Sequence, residues 1–297
     1  MAEKRSILFK ITDVVLIVCA VLPFIGAMVL KILTKAPAEG IEISGAQIFF
    51  TLKMPFWDLP VTEAQINCWN VIISVFFLCL YLTHGLTEKC SSKRQHIAEF
   101  IVEKCEDMVK SNMGDYFSGF APFVAAVMAL SAFSSLQSLL GLFPATSDMN
   151  VVSGWALLVF ILITYYKMKC GPVHYLKSFF EPVPFLSPLN IVSEIATPVS
   201  MAFRHYGNVL SGYVISVLVA AALSGLSSLV FGWLPGIFGK LPFLQIGIPA
   251  VLSLYFDIFS GCIQAFIFAM LTMLYISGAF PAEDYFKKKA KLKKQKN

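Results

Sequence analysis

Charge is scarce in this chain. Of its 297 residues only 14% are Asp, Glu, Lys or Arg, while 57% are hydrophobic. A water-soluble domain with that balance would expose large apolar patches, so a soluble globular fold is excluded. The seven cysteines are odd in number and include no CxxC pair, which excludes a disulfide framework or a zinc ribbon. They read as free thiols packed as small hydrophobes. No GxSxG, HExxH or Walker A pattern occurs, so nucleophile-elbow, zinc-protease and nucleotide chemistry are not expected. No catalytic residue, cofactor or metal site is expected either. No internal repeat is present, and no cleavable leader is expected. Residues 12–33 are too long for a leader's apolar core and lack a small-residue cleavage site.

What the chain has instead is apolar length. Six runs approach or exceed the ~20 residues that cross a bilayer core of ~30 Å. They fall at about Thr12 to Leu33, Asn67 to Leu86, Phe117 to Phe143, Val152 to Tyr166, Leu189 to Leu234 and Leu244 to Phe280. Helices are the spanning structure that continuous apolar runs allow. The expected fold is therefore an all-α polytopic membrane protein with about six hydrophobic helices. The last two are longer than a perpendicular crossing needs, so they must tilt or run partly in the membrane plane.

The net charge of +5 is not a nucleic-acid signal, because the basic residues gather at membrane edges. Lys4, Arg5, Lys10, Lys89, Lys93, Arg94, Lys104, Lys110, Lys167, Lys169, Lys177 and seven tail lysines fall on one side, eighteen in all. The opposite loops hold Lys35, Lys53 and Lys240. The positive-inside rule then puts both termini in the cytoplasm. Between spans two and three, Ile97, Phe100, Ile101, Met108 and Val109 recur among charges at helical spacing. This predicts an amphipathic helix over 92–112 on the cytoplasmic face. Pro172, Pro182, Pro184 and Pro188 predict an irregular connection from Gly171 to Pro188. The tail, 287–297, reads as a basic anchor. The chain divides into an extra N-terminal span with its outer loop, 1–66, and a core, 67–297.

A few polar residues lie inside the apolar runs. Arg204 stands deep within its run, where an arginine costs several kcal/mol or more and tends to mark function. Ser200, Arg204, Asn208 and Ser211 are spaced to share one helix face, with Gly207 and Gly212 thinning the same region. Glu194 lies ten residues earlier, about 15 Å along the axis, too far for a direct pair with Arg204 on one straight helix. In the last run Asp257 and Gln264 share a face, with Ser260 and Gly261 between them. A hairpin of the last two spans would bring Gln264 toward Arg204. Asp257 reads either as a proton or cation relay or as a structural hydrogen-bonding group. His205 reads first as a packing residue, and Tyr213 as packing beside a polar route.

Asn190-x-x-Ser-Glu194-x-x-x-Pro198-x-Ser200-x-x-x-Arg204-x-x-Gly207-Asn208-x-x-x-Gly212 resembles the signature of subunit a of F-type ATP synthases. So does the run Gln264 to Ile276, with Tyr275. The loop Thr146-Ser-Asp148-Met-Asn150 resembles an Asp-x-Asn element that precedes a span in that family. Val61 to Trp69 resembles the entry into its first common span. The resemblance covers about Val61 to Phe280. It implies a stator in the bacterial cell membrane, with protons the expected ion. The choice between H⁺ and Na⁺ belongs mostly to the partner's carboxylate.

The implied partners are a c-subunit ring, against which the last hairpin packs, the b subunits of the peripheral stalk, the rest of the complex and the lipid bilayer. By the resemblance, two half-channels lead to the ring carboxylates and Arg204 separates them. Gln264 partners Arg204, Asp257 stands in the outer channel and Glu194 in the inner one. Asn208 joins the translocation set. Ser200, Ser211, Tyr213, His205, Asp148 and Asn150 are candidates for channel lining. The chain departs from the family in having His205-Tyr206 where many members have Leu-Phe. It also has Tyr213 and Asp257 where some carry glutamate and histidine, and an added span at 12–33.

Two other readings compete. An ion-coupled secondary transporter explains buried charge, but it predicts paired broken helices or a repeat, and neither is present. An aspartyl intramembrane protease needs a second aspartate in another span to face Asp257.

Overall fold

The computed structural model describes residues 2–34, 45–55, 58–87, 92–180, 184–233, 244, 247, 251–252, 254–280, 282 and 285. Within them the chain is built of helices, and six are long and apolar enough to cross a membrane. The first, α1 (Ala2–Thr34), carries Pro23 internally and exposes most of its apolar side chains. It packs along α2 (Glu63–Thr83). Thr62 caps α2 by accepting the N–H of Gln65 at 3.3 Å, which satisfies one of the donors a helix start leaves open.

One element was not foreseen. Ahead of α2, β1 (Ile48–Leu52) pairs antiparallel with β2 (Leu59–Thr62), with a register shift between Ile48 and Phe50. The short run Ile48-Phe-Phe-Thr-Leu has the aromatic and β-branched content that a pleated ribbon favours. It is too short to stand out beside twenty-residue spans.

α3 (Lys93–Met113) occupies the segment where an amphipathic helix is expected. Ser92 caps it through the N–H of Gln95 at 3.2 Å. The end toward Met113 buries Val109 and Met113, while Ile97, Phe100 and Ile101 stay exposed. A 3₁₀ turn, Asp115–Phe120, leads into α4 (Ala121–Leu136), and a second, Gln137–Leu140, extends it. α5 (Met149–Lys167) follows.

The segment from Gly171 to Pro188 corrects the expectation of an irregular connection. It holds a short helix, α6 (Pro172–Ser178), and a 3₁₀ turn at Pro184–Leu186. Pro172 stands at the first helical position, where its missing N–H costs nothing and its fixed φ suits the helix.

α7 (Ser187–Phe231) runs 45 residues without a break, about 67 Å at 1.5 Å per residue. A bilayer core of ~30 Å does not accommodate that length upright, so α7 tilts or runs partly in the membrane plane. The sixth span was expected from Leu244. Its described part is a π-helical stretch, Leu254–Ser260, continuous with α8 (Gly261–Ala279). Most of 234–253 and the basic tail 287–297 lie outside the described residues.

The core lies where α4, α5, α8 and the end of α3 meet. Val109, Phe117, Val124, Val159, Phe268, Met273 and Ile276 are buried there. At one edge Lys169 donates to the Tyr116 hydroxyl at 2.8 Å, with the rings of Tyr165, Tyr166 and Tyr285 close to its ammonium. The described cysteines Cys19, Cys68, Cys79, Cys105 and Cys262 are free thiols.

Candidate functional site

α7 presents two faces. Pro198, Met201, Ala202, His205 and Gly212 are buried on one. Ser200, Arg204, Gly207, Asn208 and Ser211 are exposed on the other. The 3.6-residue period separates them: spacings of three and four keep each set on its own side. An exposed side chain on a membrane-spanning helix meets either lipid or another protein, and an arginine is unsuited to lipid. Among the described residues, Arg204 takes part in none of the salt bridges. Gly207 leaves open space beside it, with no heavy atom within 4 Å of where a Cβ would sit.

One turn from Arg204, the Asn208 side-chain amide donates to Gln264 Oε1 at 2.6 Å. Gln264 itself is buried. The hairpin of α7 with α8 thus brings Gln264 to the arginine face. Two close approaches set this packing. At Gly212 a Cβ would lie 3.3 Å from Phe256, and at Gly261 it would lie 2.5 Å from the Ser135 Cβ. Small residues let the backbones of α7, α8 and α4 come together, which is how membrane helices gain contact without a hydrophobic drive.

Beyond Asn208 a polar cleft opens. Ser135 and Ser138 from α4 and its extension, Tyr213 from α7, and Asp257, Ser260 and Gln264 line it together with Asn208. Asp257 reaches it from the π-helical stretch, a local widening that recurs at functional positions in helices. On α7 the cleft is lined from Asn208 to Tyr213, so it extends from about 6 to about 14 Å along the helix from Arg204.

In the opposite direction along α7 stands Glu194, about 15 Å from Arg204. Its carboxylate meets Lys167 Nζ at 3.1 Å and accepts the Tyr175 hydroxyl at 3.1 Å. Burial, then the charge and hydrogen bond of Glu194, push the Tyr175 hydroxyl up to about 12. It therefore remains a donor to Glu194 across the physiological range.

The other expected residues fall as follows. His205 is fully buried, 3.3 Å from the Ser131 hydroxyl through Nε2, with Trp155 and Phe268 edge-on to its ring. Tyr213 both lines the cleft and packs edge-on against Phe143 at 5.7 Å. Ser211 donates to the Asn208 carbonyl at 3.2 Å. Asp148 caps α5, accepting the Asn150 N–H at 2.9 Å. Asn150 is exposed. Neither Asp148 nor Asn150 is among the residues lining the cleft.

Two features escaped the reading of the sequence. Glu63 is buried at the start of α2, accepting the Phe143 N–H at 3.2 Å and paired with Lys31 of α1 at 3.0 Å. A ridge of hydroxyls and amides also runs along α4: Ser131, Ser134, Ser135 and Gln137 are all buried. Gln137 donates to the Asn67 carbonyl at 3.0 Å and Asn67 to the Phe143 carbonyl at 2.8 Å. The signal was present as Ser131-x-x-Ser134-Ser135-x-Gln137-Ser138, whose spacing lays hydroxyls on one side of an apolar span.

These features define a polytopic helical membrane protein with charged and polar groups gathered along one tilted helix. The sequence matches the family described as ATP synthase A chain over residues 66–277. It is 32% identical to the ATP synthase subunit a of Bacillus pumilus (strain SAFR-032), over 75% of this chain and 93% of that one. It is 27% identical to the subunit a of Legionella pneumophila (strain Paris), over 76% and 90%. The sodium-ion-specific subunit a of Propionigenium modestum is 27% identical over 91% of this chain and 97% of its own. The chain belongs to the ATP synthase A chain family. It is a non-catalytic, ion-translocating stator subunit of the membrane sector.

Proposed function

We propose that the exposed face of α7 is the surface against which a ring of c subunits turns, and that Arg204 meets each ring carboxylate in passing. The observation that carries this is the arginine's setting. It is a permanent charge exposed on a membrane helix, it enters none of the ion pairs among the described residues, and open space lies beside it. An arriving carboxylate supplies the missing counter-charge and is favoured in its ionised form there.

Asp257 and its cleft form the half-channel from the outer side, and Glu194 with Tyr175 and Lys167 marks the half-channel to the cytoplasm. Asn208 and Gln264 hold the strip between them. The offset of the two acids along α7, on opposite sides of Arg204, obliges an ion to ride the ring from one to the other. Protons are the coupling ion in this reading, and the b subunits of the peripheral stalk hold the chain still.

The test is side-specific access. Cysteines placed around Asp257 should be blocked by silver ion from the outer side, and those around Glu194 from the cytoplasmic side. Access of both sets from one side only overturns the assignment. Asp257→Asn should slow transport with assembly intact, because it removes a proton-transfer group. Glu194→Gln should slow exchange on the cytoplasmic side.

Orientation is tested separately. Six candidate spans and eighteen basic residues assigned to one side support a reading with both termini in the cytoplasm. Reporters fused before Met1 and after Asn297 should both read cytoplasmic, and one inserted between Ile41 and Phe56 should read outside. If the fusion before Met1 reads outside, α1 does not cross.

A further inference from the structure

The helix α1 lies outside the span matched by the family, yet it is fastened at both ends. Near one end Asp13 accepts from Arg94 Nη1 at 2.8 Å and lies 2.9 Å from His84 Nδ1. Near the other, Lys31 Nζ meets Glu63 Oε1 at 3.0 Å. Eighteen residues separate Asp13 from Lys31, about 27 Å of helix, which is close to the ~30 Å of a bilayer core. Sliding α1 along α2 would break both clamps, so the height of Lys31 in the membrane is set.

Glu63 is the more consequential end. Its side chain is only 10% exposed, and the segment before α5 gives it the Phe143 N–H. From α7, the Tyr213 ring packs edge-on against that of the same Phe143 at 5.7 Å. Tyr213 is also a wall of the cleft that holds Asp257. The Lys31–Glu63 pair is therefore joined to the cleft through Phe143, whose ring meets Tyr213 and whose neighbour Pro144 lines the cleft.

We propose that α1 serves to deliver Lys31 as the counter-charge of Glu63, keeping the outer entrance of the ion path electrically neutral. This rests on the reading of the Asp257 cleft as the outer half-channel. A bare carboxylate at the entrance holds an incoming cation, whereas a bare ammonium repels it. The salt bridge does neither, so ions pass to Asp257 without a trap or a barrier. Among the described residues the charged group paired with Glu63 is Lys31 from α1. Losing Lys31 and losing Glu63 thus have opposite electrical signs.

Opposite signs make the test. The whole complex is reconstituted in vesicles and ATP synthesis is driven by an imposed gradient, in one series of protons and in another of sodium. The half-saturating outer ion concentration is read in whichever series drives synthesis. Lys31→Gln should lower it roughly ten-fold and Glu63→Gln should raise it by a similar factor, as expected for one unit charge acting through a partly wetted protein. The double variant should return to within about two-fold of the starting value, because the paired residues couple. Lys31→Arg should leave it in place.

A purely structural role would lower the maximal rate without moving half-saturation in opposite directions. Half-saturation unmoved in both single variants, or moved the same way in both, overturns the proposal. Asp257→Asn in the same vesicles keeps the two ideas apart. Slow uptake there, beside unmoved Lys31 and Glu63 variants, removes the counter-charge role and leaves the half-channel standing.

Discussion

Arg204→Ala leaves an assembled protein that neither pumps ions at the expense of ATP nor supports synthesis from a gradient. The expected loss is roughly 100-fold or more, the scale seen when a preorganised electrostatic partner is removed from a low-dielectric site. Assembly survives because Arg204 is on the exposed face of α7 and contributes to none of the buried packing. In the proposed reading the loss is functional because the guanidinium supplies the fixed charge that favours an ionised carboxylate between the two acids.

Lysine does not replace it. The ammonium is a compact, strongly hydrated charge that loses its proton more readily in an apolar setting, and it lacks the planar fork that grips a carboxylate. Arg204→Lys should therefore fail nearly as badly. ATP-driven pumping by reconstituted Arg204→Ala complex, compared with wild type in the same vesicles, decides the matter. Pumping at the wild-type rate would remove Arg204 from the account.

Gly261→Val acts through packing instead. The start of α8 crosses α4 so closely that a Cβ on Gly261 would lie 2.5 Å from the Ser135 Cβ and 3.0 Å from its hydroxyl. The Ser135 Cβ is bonded to the backbone and cannot swing aside as the hydroxyl can, so the helices must part. Overpacking a tight contact costs on the order of 1–3 kcal/mol, and a β-branched side chain belongs at the upper end. The separation also carries Gln264, one turn further along α8, away from Asn208.

The expected result is a sharp fall in the amount of subunit assembled in membranes, and weak coupling in what remains. Ser135→Gly should partly rescue Gly261→Ala by removing the atoms in the way. Assembly of Gly261→Val at the wild-type level, with an unchanged melting temperature of the purified complex, would show that the contact is not tight.

The spans were legible because membrane crossing demands about twenty apolar residues, and each such run holds a helix; the first begins at Ala2, ten residues before the apolar run, and the sixth is described from Leu254. The arginine face was legible for a similar reason: Ser200, Arg204, Asn208 and Ser211 stand out chemically in an apolar run, and helical spacing alone puts them together. Gln264 was placed toward Arg204 by assuming a hairpin; the structure sets it against Asn208, one turn on.

What the sequence hid depends on contacts far apart in the chain. Glu63 follows a threonine at a helix start, where an acidic residue is ordinary. Its pairing with Lys31 depends on how α1 lies along α2, which no local pattern encodes. The proline-rich segment was misread because Pro172 starts a helix as readily as prolines interrupt one. The hydroxyl ridge of α4 was overlooked because serine is tolerated in any membrane helix. Its meaning appears only once His205, Thr146 and Asn67 are seen against it.

The central claim is that Arg204 separates two aqueous half-paths that otherwise meet. Passive ion flux through the membrane sector tests it most directly, with the rotor held by a cross-link so that no ion can ride the ring. Wild-type vesicles should show no flux above protein-free controls. Arg204→Ala vesicles should leak, and adding Asp257→Asn should reduce that leak. A sealed Arg204→Ala sector with its rotor locked would contradict the account.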